Sequence, residues 1–257
     1  NDAFEKLKRG AKIIIANPEV LLDFWLLERL CGFSISHVAI DEAHCVSEWG
    51  DSFRPAYLEL GKIIEKTGAP VVTAFTATAS PEVLRRISDV LFGGNAHIVR
   101  SDSDRANIHY YVKKTASKKN AALLLSRTER RPMIIFCGTR SRAESMAREI
   151  CTAFGDDFAR FYHAGLEKEE KSKIENWFFN AEDAVLCATC AYGMGVDKKN
   201  IRTVIHLDAP LTAEAYIQEA GRGGRDGETA NAILLWNYED TRKFKAFKDD
   251  SRNAVMR

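Results

Sequence analysis

Nowhere in the 257-residue sequence do about 18 apolar residues follow one another, which excludes an ordinary membrane-spanning helix. The amino-terminal stretch, with Asp2, Glu5, Lys6, Lys8 and Arg9, also lacks the apolar segment of a secretory leader. An intracellular protein with no membrane partner is therefore expected, in the cytoplasm or nucleoid of a bacterium or the nucleus of a eukaryote. Cysteine is sparse: Cys31, Cys45, Cys137, Cys151, Cys187 and Cys190 are scattered, mostly within apolar runs, a usage that fits reduced thiols better than a disulfide framework. Cys187 and Cys190 have CxxC spacing, but no second CxxC or HxxxH pair accompanies them, so zinc is not expected and the two read as buried or loop thiols. Excess charge is missing too. With 37 Lys and Arg against 36 Asp and Glu the net charge is +1, and attraction to nucleic acid has to come from a local patch. No repeat at a fixed period is evident. Finally, the pattern Gly-x-x-x-x-Gly-Lys-Ser/Thr does not occur: the only Gly-Lys pair, Gly61 and Lys62, is followed by Ile63 and has Ala56 where the first glycine belongs. A phosphate-cradling loop of that type is excluded from these residues.

What is present is a chain 46% hydrophobic and long enough for one large or two small domains. Short β-rich runs recur: "KIIIA" at 12–16, "HVAID" at 37–41, "VVTAF" at 71–75, "IHYYV" at 108–112, "MIIFC" at 133–137, "AVLCAT" at 184–189, "TVIHLD" at 203–208 and "AILLW" at 232–236. Amphipathic helical patterns lie between them near 20–30, 56–66, 81–92, 119–130, 141–153, 167–179 and 213–221. Strands apolar on both faces and separated by helices predict an α/β fold with parallel sheets. A polar break at Arg100–His109 reads as a hinge. It divides the chain into lobes at 1–103 and 104–248, followed by a charged tail at 249–257. Ser80 before Pro81 predicts a capped helix start, and Ser141 stands before the 141–153 helix.

Chemistry concentrates in a few stretches. Asp41 ends an apolar strand, where open α/β sheets bind ligands. There it can hold Mg²⁺ through water while Glu42 orients and deprotonates the water that attacks a phosphoryl group; the alternative is an acidic strand end that merely caps a turn. From Cys45 to Tyr57 the chain carries Trp49 and Phe53 with Arg54 alongside, a stacking platform for unpaired bases or else a pair of core rings. "TATAS" at 76–80 brings hydroxyls to the end of the following strand. Arg222 and Arg225 stand between glycines in "QEAGRGGRDG", Gln218–Gly227, and guanidinium groups so placed suit γ-phosphate and transition-state charge, or form a solvated surface turn. In "ATCAYGMGVD" at 188–197, Gly193 and Gly195 allow backbone amides to approach a phosphate.

Taken in order, "NPE" at 17–19, "DEAH" at 41–44, "TATA" at 76–79, "IIFCGTR" at 134–140, "ATCAYGMGVDKKNIRTVIH" at 188–206 and "QEAGRGGRDG" at 218–227 resemble motifs Ib to VI of superfamily 2 helicases. The loop after the AspGluAlaHis stretch narrows the resemblance to the RecQ family of DNA helicases, and "DRANI" at 104–108 and "YHAGL" at 162–166 are typical RecQ phrases. The resemblance implies two RecA-like lobes that clamp ATP, with single-stranded DNA crossing their top. It further implies ATP-dependent unwinding of duplex DNA with 3′ to 5′ polarity in repair and recombination, alongside unspecified repair proteins. Carried to matching positions, Asp41 would hold Mg²⁺ and Glu42 would activate water, while His44, Thr76 and Thr78 couple the site to DNA. Trp49, Phe53 and Arg54 would sense single strands. Thr139, Arg140 and Thr189 would contact the DNA backbone. Gly195, Asp197 and Gln218 would belong to the ATP site and its coupling, with Arg222 and Arg225 completing it.

Three departures from the family pattern stand out. Asp51 and Ser52 replace the usual His and Asp, and Gly223 replaces the usual alanine, a mild change that adds backbone freedom. The P-loop strand that normally sits in the first lobe is missing. The first lobe is therefore expected to be incomplete at its amino end, part of a longer helicase and inactive or weakly active alone. Two other readings compete: a non-catalytic DNA- or protein-binding module on a degenerate helicase fold, and a DEAH-type RNA helicase, which the DNA-helicase pattern of the 45–57 loop disfavours.

Overall fold

A parallel strand pair needs a crossover between its members, and the alternation of short apolar runs with amphipathic stretches supplies it. The computed structural model describes residues 2–48, 55–76, 80–99, 105–192 and 198–242, and divides into two units, Asn1–Ser101 and Asp102–Arg257.

In the first unit, β1 (His37–Ile40) and β2 (Val71–Ala74) pair in parallel, with His37 opposite Val71 and Ile40 opposite Ala74. Helices α1 (Asp2–Lys8), α2 (Pro18–Leu21) and α3 (Phe24–Cys31) precede β1; α4 (Cys45–Glu48) and α5 (Leu60–Thr67) lie between the strands, and α6 (Pro81–Phe92) follows. Ser80 caps α6, its Oγ accepting from the Val83 amide at 3.3 Å with Pro81 in the first turn, as the sequence predicts. Val83, Ile87 and Leu91, four residues apart, form the buried face of α6 and meet Leu27, Ile40, Val46, Leu60 and Ile63. Gly61 explains itself here rather than as part of a phosphate loop: a Cβ on it would stand 2.2 Å from the Val90 carbonyl oxygen of α6.

Two expectations for this unit fail. "KIIIA" forms no strand; residues 11–17 are irregular, with Ile13 and Ile15 exposed at 81% and 95%. An apolar run becomes a strand only where a neighbour accepts its backbone hydrogen bonds, and among the described residues β1 and β2 pair only with each other. The helix expected from position 56 starts at Leu60, because Pro55–Tyr57 forms a 3₁₀ turn.

The second unit contains one six-stranded sheet in which every adjacent pair is parallel: β3 (Ile108–Lys114), β4 (Met133–Phe136), β5 (Ala159–Tyr162), β6 (Val185–Ala188), β7 (Thr203–His206) and β8 (Ala230–Trp236), in spatial order β3-β8-β7-β4-β6-β5. Every residue of β4, β6 and β7 is buried. Alternation divides their side chains between two cores. Met133, Ile135, Val185, Cys187 and Ile205 face α7 (Lys118–Thr128) and α8 (Arg140–Phe154) through Leu125, Met146 and Ile150. On the other side Ile134, Phe136, Leu186 and Val204 meet Phe178 of α9 (Lys168–Asn180). Strands wetted on neither face must be apolar throughout, which is why these runs were legible. β5 was not: at the sheet edge, Arg160 and Phe161 are only half buried, and the run "ARFY" carries a charge. A buried ion pair, Lys118 Nζ to Asp240 Oδ1 at 2.7 Å, ties α7 to the helical residues 238–242; the predicted charged tail at 249–257 lies outside the described residues.

Substituting Gly61 by alanine forces α5 and α6 apart, at a cost of about 1–3 kcal/mol. Hydrogen exchange should show α5 and α6 amides losing protection roughly 10- to 100-fold while those of β4 and β6 do not change; unaltered α5 protection would refute the close crossing.

Candidate active site

Asp41 follows β1 directly, so its exposed carboxylate stands at the carboxyl end of a parallel strand. Among the described residues Glu42 is the one non-glycine residue with positive φ, at 50°. Such a left-handed backbone costs about 1–2 kcal/mol for an ordinary residue and persists only where the surroundings over-determine it. They do: the Ala43 amide donates to the Phe75 carbonyl at 2.9 Å, the Phe75 amide donates to the Ile40 carbonyl at 2.7 Å, and Asp41 Oδ1 accepts from the Glu42 amide at 2.9 Å. The turn thereby sets His44 Nδ1 3.2 Å from Thr76 Oγ1 and 3.3 Å from Glu42 Oε2. Glu42, His44 and Thr76 are thus brought together across the ends of β1 and β2. Thr78, Trp49, Phe53, Arg54, Gly195 and Asp197 lie outside the described residues, as do Asp51, Ser52 and Gly193. Mg²⁺ takes one or two carboxylates besides phosphate oxygens and water, and an exposed aspartate at a strand end fits that requirement.

In the second unit the polar groups gather where parallel strands end. Thr139 follows β4 and caps α8, its Oγ1 accepting from the Arg142 amide at 3.3 Å. The cap is Thr139 and not the Ser141 that the sequence pointed to, so Arg140 becomes the first, exposed residue of the helix. Asp208, two residues past β7, draws neighbouring strand ends together: Oδ2 accepts from the Gly138 amide at 2.9 Å and Oδ1 from Arg142 Nη1 at 2.6 Å. Thr189 follows β6, its amide donating to the Tyr162 carbonyl at 3.1 Å. Gly165 leaves room for Arg140, since a Cβ there would stand 2.9 Å from the guanidinium. Lys198 closes the glycine-rich stretch after β6 by donating to the Phe179 and Ala181 carbonyls at the end of α9, at 3.0 and 2.8 Å; burial lowers its pKa.

Gln218 lies near the end of α10 (Ala213–Ala220), partly buried, and the arginine loop follows. Glu219 is buried with Oε2 3.0 Å from His206 Nε2, a close approach that lacks hydrogen-bond alignment, and His206 is packed between Phe136 and Tyr216. Arg222 is buried and Arg225 exposed. Burial pushes the Tyr192 hydroxyl up, and the positive charges of Arg222 and Arg225 oppose that rise; Cys190 is likewise pushed up by burial and by Glu219. The turn after β6 and the arginine loop therefore share one electrostatic neighbourhood. Cys187, by contrast, is in the core, where burial raises its thiol well above the ordinary range. Gly223 serves packing rather than backbone freedom: a Cβ would lie 3.0 Å from the Ala230 methyl.

Two family models match in succession, "DEAD/DEAH box helicase" over residues 1–87 and "Helicase conserved C-terminal domain" over residues 116–227. The "Probable ATP-dependent DNA helicase RecS" of Bacillus subtilis is 42% identical over 87% of this chain, and the "ATP-dependent DNA helicase RecQ" of Pasteurella multocida is 34% identical over 91%. The chain belongs to the RecQ family of helicases. It spans 46% and 37% of the length of those two relatives. Among solved structures, the DUF1998 helicase MrfA bound to DNA matches with a TM-score of 0.71 at 18% identity, over 91% of this chain and 36% of that one. Dbp5 of S. cerevisiae, bound to RNA and ADP BeF3, matches at 0.67 and 18%, over 92% and 62%. At such identities the likeness is one of fold, the RecA-like α/β fold of helicases.

Sequence reasoning overlooked several residues of this RecQ-family site. Asp208 and the His206–Glu219 pair join separate strands and helices, which no local pattern reveals. Arg105 and Asn107, read as hinge, instead belong to the second unit and bond to the arginine loop 116 to 119 residues away. The sole local hint was the RecQ phrase "DRANI" itself. On the outer side of the loop Arg202 grips Asp226 with two bonds of 2.9 and 2.5 Å, and this partner holds the Asp226 carboxyl down at about 2 from 3.8.

Because the folded-state pKa of Asp226 is depressed, its ion pair stabilises the second unit above the ordinary carboxylate pKa, and that stabilisation is lost as pH falls from 3.8 toward about 2. The stability difference between wild type and Asp226→Asn, followed by urea unfolding, should hold constant above about pH 5 and vanish over that acid range. A difference independent of pH would rule out the carboxylate as its source.

Proposed function

We propose that this chain forms part of the hydrolytic motor of an ATP-dependent DNA helicase with 3′ to 5′ polarity, the phosphate-cradling loop not being among its residues. The observation that carries the reading is the AspGluAlaHis turn: Glu42, held in a left-handed conformation beside Asp41, contacts His44, which also reaches Thr76 at the end of the neighbouring strand. In this reading Glu42 accepts a proton from the water that attacks the γ-phosphate, a role worth about 10²- to 10⁴-fold in rate. His44 senses that change and passes it to Thr76, with Thr78 sharing the coupling role that the family resemblance implies. Asp41 holds Mg²⁺, which when bound neutralises phosphate charge. In the second unit Arg222 and Arg225 suit charge that develops in the transition state, with Gln218, Gly195 and Asp197 given the nucleotide-binding and coupling roles that the family resemblance implies.

Single-stranded DNA is the proposed track. Arg140 at the exposed start of α8, with Thr139 and Thr189 at neighbouring strand ends, supplies phosphate contacts, and Trp49, Phe53 and Arg54 supply base stacking. The relatives' printed activity, ATP-dependent DNA helicase, supports DNA as the substrate. Repair and recombination proteins are the proposed partners.

The test uses the full-length protein, single-stranded DNA and duplexes with either a 3′ or a 5′ tail. Glu42→Gln is expected to lower DNA-stimulated turnover at least about 100-fold with little change in the ATP KM, and wild type to open only the 3′-tailed duplex. DNA binding without turnover would replace this reading by that of a binding module. A separate variant, Arg140→Ala, should weaken single-strand binding for all sequences and make the log–log salt dependence shallower by about 0.7; an unchanged slope removes Arg140 from the track.

A further inference from the structure

The arginine loop is short, glycine-rich and attached to one helix end, so something has to hold it still before its guanidinium groups can serve a reaction. The structure shows what does. Arg105 Nη1 donates to the Gly221 carbonyl at 3.4 Å, and Nη2 donates to the carbonyls of Gly223 at 3.0 Å and Gly224 at 2.7 Å. Asn107 Oδ1 accepts from Arg105 Nε at 3.3 Å, which sets the plane of the guanidinium, while Asn107 Nδ2 donates to the carbonyls of Gly224 and Glu228, both at 2.8 Å. The Asn107 carbonyl in turn accepts from the Ala230 amide at 2.9 Å, anchoring the clamp to the start of β8.

The carbonyl of Gly221 belongs to the peptide that enters Arg222, and the carbonyl of Gly224 to the peptide that enters Arg225. One planar fork therefore fixes the backbone orientation immediately before both arginines. Gly224 is required for it: with φ +55 it adopts a conformation that L side chains resist, and a Cβ would stand 2.3 Å from the Glu228 oxygen and 2.6 Å from Asn107 Nδ2. Lysine in place of Arg105 keeps the charge but is a point donor and cannot span three carbonyls in one plane.

We infer that Arg105 and Asn107 are positioning residues for Arg222 and Arg225, holding the arginine loop in its hydrolysis-competent form from the point where the chain enters the second unit. The inference rests on the proposed ATPase for its kinetic consequence but not for its structural one. In the full-length protein, Arg105→Lys and, separately, Asn107→Ser are expected to lower kcat about tenfold or more, with the ATP KM changed by less than about threefold. In an Arg222→Ala, Arg225→Ala background, Arg105→Lys should have no further effect on kcat, because the groups it positions are gone. Trypsin, which cleaves after the exposed Arg225, reads the loop directly; cleavage there, mapped by mass spectrometry, is expected to accelerate about tenfold in either single variant.

If Arg105→Lys lowers kcat by the same factor in both backgrounds, or if neither variant alters loop cleavage, the positioning role is wrong. If wild type shows no turnover while cleavage accelerates as expected, the ATPase reading falls and the clamp on the loop stands.

Discussion

Burial of the central strands of the second unit's sheet on both faces is the constraint on which its chemistry depends. With α7 and α8 on one side and α9 on the other, the interior of β4, β6 and β7 has no place for an unpaired polar group. Of the two polar residues on β7, Thr203 obeys this, its Oγ1 donating to the Arg130 carbonyl at 2.7 Å, while His206 lies close to the Glu219 carboxylate and between two aromatic rings without an aligned hydrogen bond. Polar function is pushed to the strand ends. Because each neighbouring pair is parallel, the carboxyl ends fall along one edge, and Thr139, Thr189 and Asp208 collect there from separate stretches of sequence.

Loops at the opposite, amino-terminal ends of the strands are held by cationic or amide side chains that collect backbone carbonyls. Arg105 and Asn107 do so for the arginine loop, and Lys198 does so for the end of α9. A buried carbonyl without a donor costs about 1–3 kcal/mol, so each such side chain both satisfies the loop and fixes its shape. The first unit uses another device. Its AspGluAlaHis turn is kept by backbone hydrogen bonds between the ends of two strands, tight enough to sustain the left-handed conformation of Glu42. Under the proposed function, both devices serve one end: reactive side chains pre-set on backbone that does not rearrange.

Much of this was legible from the amino acids. Seven of the eight predicted strands exist; in β4, β6 and β7 the continuous apolar run marks a strand wetted on neither face, whereas β1, β2 and β3 are largely exposed and were legible from their β-rich composition alone. The eighth, "KIIIA", fails because hydrophobicity alone supplies no hydrogen-bonding neighbour, and β5 was overlooked because an edge strand needs less apolar surface. Thr139 rather than Ser141 caps α8, a difference of two residues that hydrogen-bond geometry settles and composition does not.

The site divides along the same physical line. Motif order, the helicase family and the residue types suited to phosphoryl transfer are properties of contiguous stretches, so the sequence by itself determined them. The contact of His44 with Thr76, the tie between strand ends at Asp208, the buried His206–Glu219 pair and the grip of Arg105 on three glycine carbonyls join residues 13 to 119 positions apart. Directional interactions at such separations arise only once parallel pairing has fixed which strand ends are neighbours, and tertiary structure alone decided them.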